Sequence, residues 1–166
     1  MSSLALRGWT AATALLVPLL TLASPGFLKL GNGGPAWAVL WLLPWALVDG
    51  ALSGVLAGLL LGLVLDGLHL GPVSQIPALM VLGWWWGRMG RKGLPIERSF
   101  SLGLLALLGT AFVGLTLILQ FAVLGELQGP VLYTWLGQTL LTALLAPMVC
   151  SLQLLLWRQQ VSGGRR

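Results

Sequence analysis

Few side chains in this sequence are equipped for chemistry. Its 166 residues include four carboxylates, one histidine and one cysteine. Two of the carboxylates, Asp49 and Asp66, bracket the apolar run GALSGVLAGLLLGLVL, and His69 stands three residues beyond Asp66. Two aspartates sharing a proton would be a device for general acid–base work. As one helical segment, the run holds them about 25 Å apart, at opposite faces of a bilayer, so they cannot act on one bond. Asp66 and His69 fall on one helix face. One carboxylate and one imidazole are too few for a metal site, and they read as a solvated pair at the membrane interface. Asp49 reads as a turn residue and helix N-cap. Glu97 lies among basic residues, Glu126 lies in a turn, and Cys150 sits alone in an apolar run, unable to form an internal disulfide. No Ser/His/Asp set, metal-ligand cluster or phosphate loop stands elsewhere. The expectation is no catalytic residue, no cofactor and no metal.

The surroundings of these residues explain the scarcity. Hydrophobic residues make up 57% and charged residues 8% of the chain, with mean hydropathy +0.93. A soluble domain carries roughly 25% charged residues to wet its surface. This composition predicts an all-α integral membrane protein forming a single polytopic domain over residues 1–166. Spans are expected near 9–28, 35–48, 51–67, 73–87, 100–124 and 131–157, separated by turn and breaker residues. The N-terminal MSSLALRGWT resembles the start of a signal peptide but lacks a clear small-residue cleavage site, and it reads as a retained first helix.

The boundary at Asp49-Gly50 decides the topology. A single helix over 35–66 would be about 48 Å long and would place Asp49 near the bilayer centre, which is costly. With a break there, Arg7, the cluster Arg88, Arg91, Lys92 and Arg98, and the tail Arg158, Arg165 and Arg166 share one side, opposite Lys29 alone. The positive-inside rule then puts both termini in the cytoplasm. Arg88, Arg91, Lys92, Arg98 and Arg158 read as membrane-interface and topology residues, with Trp84, Trp85, Trp86 and Trp157 at headgroup depth. The net charge of +5 is therefore assigned to lipid, and no nucleic-acid partner is expected.

Gly50, Gly54, Gly58 and Gly62 recur every fourth residue, and Asp66 takes the next place. In lipid, apolar burial does not drive helices together, and small residues let backbones approach. The stripe predicts close helix packing within the chain, against a partner helix, or both. Gly50, Gly54, Gly58, Gly62, Asp66, His69 and Gly71 form the expected packing and interaction set. Trp37, Trp41 and Trp45 form a second stripe, which either packs against helices and lipid or lines a pocket for a flat or cationic ligand. Gln120 and Gln138 are expected to hydrogen-bond across the last hairpin. Pro18, Pro44, Pro77 and Pro147 are expected to bend their helices.

The run GVLAGLLLGLVLDGLHLGPVSQIPAL, six short spans and a second span containing proline and tryptophan together resemble the bacterial rod-shape-determining protein MreD family, most strongly over Pro35–Arg91. The resemblance implies a non-enzymatic subunit of the cell-wall elongation machinery in the bacterial plasma membrane. Its partners would be an MreC-like protein and the assembly joining MreB filaments to a transpeptidase and a SEDS-type glycosyltransferase. It also implies a helical fold like the S component of energy-coupling-factor transporters, and carries Gly54, Gly58, Gly62 and Asp66 over as motif residues. The same fold and the tryptophan stripe leave open a vitamin-binding S component. Its pocket would draw on the sparse outer polar residues Lys29, Asn32, Asp66, His69, Ser74, Gln75, Glu126 and Gln128.

Overall fold

The computed structural model describes residues 13–23, 34–68, 72–90, 99–125 and 129–163. Helices account for nearly all of them, and no strand occurs among them. A 3₁₀ turn at Thr13–Leu15 leads into α1 (Leu16–Ala23). Then follow α2 (Trp37–Asp49), α3 (Ala51–Leu68), α4 (Ile76–Gly90), α5 (Ser99–Leu124) and α6 (Gly129–Gly163). Among the described residues, three segments are long and apolar enough to cross a membrane: Ala51–Leu68, Ser101–Leu124 and Tyr133–Leu156.

Gly50 ends α2 and begins α3. Its φ of 98° lies in the left-handed region that glycine enters without a Cβ penalty. Its N–H donates to the Ala46 carbonyl and its own carbonyl accepts from the Gly54 N–H, at 3.0 and 2.9 Å. Gly50 thus takes the N-cap position expected for Asp49, which is instead the exposed last residue of α2. The chain reverses here. Trp45 Nε1 donates to Ser53 Oγ at 3.0 Å across the turn, and farther out Val39 and Leu65 line one cavity. Residues 35–66 are therefore two helices.

The core sits around α2. Nine of its thirteen residues are buried, on every side of the helix, and it touches all five other helices. A short helix that is apolar all round belongs in the interior. Its N-terminus is capped by another helix: the Ala36 N–H donates to Thr142 Oγ1 of α6 at 2.9 Å. Pro44, midway along α2, has no N–H for the Leu40 carbonyl. Cys150 Sγ of α6 lies 3.5 Å from that oxygen and donates to it. The freed carbonyl thereby gains the partner that a lipid-embedded backbone requires.

Around this centre, α5 and α6 form an antiparallel hairpin in which glycines of α5 make room for side chains of α6. Gly103 meets the Pro147 ring and the Ala143 carbonyl that Pro147 leaves free, and Gly114 meets the Trp135 indole. Outward faces are leucine-rich: Leu52, Leu56 and Leu60 on α3, Leu115 and Leu119 on α5, and Leu140 and Leu144 on α6 are all exposed. Hydrocarbon tails, not water, are the solvent such faces match. Pro77 departs from expectation. It is the second residue of α4, where its missing N–H is one of the helix's unpaired donors, so no bend is needed there.

Candidate functional site

The glycine stripe of α3 faces α4 of the same chain. A Cβ on Gly54 would collide with the Gly83 carbonyl, one on Gly58 with the Leu79 carbonyl, and one on Gly62 with the Ile76 backbone. From α4, Gly83 meets the Gly54 carbonyl, Gly87 meets Gly50 and Ala51, and Gly90 meets the Leu47 carbonyl of α2. Steps forward on α3 match steps back on α4, as an antiparallel pair requires. Gly54 also lies 3.0 Å from the Ala46 Cβ when given a side chain, so it touches two neighbours. The groove between these residues is filled. A partner helix meeting this conformation has to use another face.

The spacing of Gly83, Gly87 and Gly90, four and three residues apart, is itself a helical face opposite the first stripe. GWWWG reads as a tryptophan run, but its two glycines make the seam. Trp86 goes inward, fully buried against Gly109 of α5, whereas Trp84 and Trp85 point out. Arg88 lies over the Trp84 ring with its guanidinium carbon 5.5 Å from the centroid. Among the topology residues, Arg91, Lys92 and Arg98 lie outside the described residues, and Arg158 is placed only as backbone of α6.

Asp66 is not simply solvated. Its Oδ2 accepts from Ser74 Oγ at 2.6 Å and its Oδ1 from the Gln75 N–H at 2.9 Å. Ser74 Oγ in turn accepts from the Ile76 N–H at 3.2 Å. Gln120 of α5 completes the cluster: its Oε1 accepts from the Ser74 N–H at 2.8 Å, and its Nε2 donates to the Ser74 carbonyl at 2.9 Å. The link before α4 is non-helical backbone, which in a bilayer needs side-chain partners. Asp66 and Gln120 supply them, and the carboxylate also sits at the favourable N-terminal end of the α4 dipole. His69 and Gly71, the other expected members of this end, lie outside the described residues.

Gln120 and Gln138 do not pair. The register set by Gly103 with Pro147 and Gly114 with Trp135 puts residue 138 opposite residue 111, roughly 13 Å along α5 from Gln120. Gln138 instead lines a cavity of about 240 Å³ with Gln75, Thr110 and Trp37 at the end of the bundle where α2 begins. The Trp37 indole N–H has no partner among the described residues. The other two members of the tryptophan stripe are fully engaged. Trp41 and Trp45 stack with centroids 5.1 Å apart and planes 18° apart, and Trp41 Nε1 donates to Thr13 Oγ1 at 2.8 Å.

This arrangement is suited to holding helices in register and presents no converging acid, base and nucleophile among the described residues. No family model, curated protein or solved structure matches the chain.

Proposed function

We propose that this chain is a non-enzymatic scaffold subunit of a bacterial cell-wall elongation assembly. It would cross the plasma membrane six times with both termini cytoplasmic and bind an MreC-like partner through helix packing. The observation that carries the reading is the α3–α4 hairpin. The residues of the MreD-like motif, Gly54, Gly58, Gly62 and Asp66, all serve this one unit: three glycines seat the helices and the carboxylate ties their link. A motif concentrated on the packing and tying of one hairpin fits a protein that works by positioning others. The glycine groove being occupied by α4, the partner would engage an outward leucine face. Charge supports the orientation, since eight of nine basic residues fall on one side under six spans. The test is co-purification from a rod-shaped bacterium with its MreC-like protein. Retention of that protein through detergent extraction is expected, and failure of cross-linked membranes to yield it overturns the proposal.

The cavity beside Trp37 favours one rival, a vitamin-binding transport component. Gln75, Thr110 and Gln138 converge on it, together with an indole donor lacking a partner. A thermal-shift screen with water-soluble vitamins separates the two readings. Saturable stabilisation at micromolar ligand supports transport, and none is expected of a scaffold.

A further inference from the structure

A second cavity has the opposite character. It is a groove of about 350 Å³ between α1 and α3, floored by the stacked Trp41 and Trp45 of α2. Pro18 forms one wall, and Ser53, Ala57 and Val64 mark its course along the other. Its polar groups are already engaged. The Trp41 N–H is held by Thr13, and the Trp45 N–H by the Ser53 hydroxyl. The groove thus offers an occupant hydrocarbon contact and nothing to a polar ligand.

We infer that this groove holds one acyl chain of a membrane phospholipid. Volume and length agree on the occupant. The cavity of about 350 Å³ takes roughly a dozen methylene groups at about the 30 Å³ of a water-sized group. Ser53 to Val64 spans about 16 Å of α3 at 1.5 Å per residue. An extended chain of a dozen carbons covers roughly 15 Å, given bonds of 1.52 Å near the tetrahedral angle. The chain fills the gap that α1 and α3 leave above the tryptophan pair and so couples α1 to the α2–α3 hairpin. This holds whether or not the protein belongs to an elongation assembly.

The test uses full-length wild-type protein in vesicles of phosphatidylcholine bearing a diazirine midway along one acyl chain. After illumination, peptide mass spectrometry should place adducts preferentially on residues 53–64 of α3 and on Trp41 or Trp45. An even spread over the outward leucines of α5 and α6 overturns the inference. In native mass spectrometry the wild type should retain one phospholipid per chain. Ala57→Phe should lower that occupancy by at least about fivefold, because a phenyl group overfills the groove, while Leu115→Phe on the outer face of α5 leaves it unchanged. Equal retention by the Ala57→Phe protein, or a co-purified protein cross-linked into the groove, also counts against it.

Discussion

Gln120 shows how one side chain can decide where a loop sits. Both ends of its amide are used on Ser74, one accepting and one donating. Gln120→Leu would leave the Ser74 N–H and carbonyl without their partners, at a cost of about 1–3 kcal/mol. The SDS- or heat-unfolding midpoint should fall clearly for this variant and less for Gln138→Leu, whose side chain borders a cavity. Equal losses would mean that the Ser74 contacts contribute little.

Cys150 has a subtler role, and its test is spectroscopic. Its thiol donates to the carbonyl that Pro44 leaves free. Pro44→Ala restores a backbone N–H to Leu40, so the Cys150 S–H stretch should move toward the frequency of a non-bonded thiol. A wild-type band already at the frequency of a non-bonded thiol would show that the thiol is not engaged. Neither role is visible in the linear sequence, because Gln120 lies 46 residues from Ser74 and Cys150 lies 110 residues from Leu40.

Helix by helix, the glycines separate into those that touch backbone and those that do not. Gly58 faces the Leu79 carbonyl, whereas Gly67, on the same helix, has nothing near its missing Cβ. Gly58→Ala should therefore force α3 and α4 apart and destabilise the protein by about 2–4 kcal/mol, in the range of core overpacking and beyond. Gly67→Ala should be neutral or stabilise by up to about 1 kcal/mol through helix propensity. Thermal unfolding in one detergent compares them directly, and equal effects would refute the seam. The stripe itself was plain from spacing. Its occupant was not, because a row of small residues records only that some backbone comes close. Gly83, Gly87 and Gly90 carried a matching signal, masked by the tryptophans between them.

For the molecule as a whole, the described helices place a thirteen-residue segment, α2, at the centre and longer apolar helices around it. The proposed six-span topology predicts that both ends face the cytoplasm. With Cys150 buried, Ser3→Cys and Gly164→Cys can be labelled singly with a membrane-impermeant maleimide. Both should react in inverted vesicles and neither in intact spheroplasts. Reaction from opposite sides would remove a span and with it the orientation argument.

Composition alone pointed to a lipid solvent, because 8% charged residues cannot wet a surface of this size, and the apolar runs between breakers pointed to helices. The break at Gly50 and the closeness of backbones along Gly54, Gly58 and Gly62 were also written in the order of residues, since breakers and small side chains act within a few positions. Tertiary structure decided which backbone fills the stripe, that Asp66 ties the link before α4, and that α2 lies innermost. Those outcomes depend on pairings between residues distant in sequence. In a bilayer such pairings come from shape and from the need of each buried polar group for a partner, and neither leaves a local pattern to read.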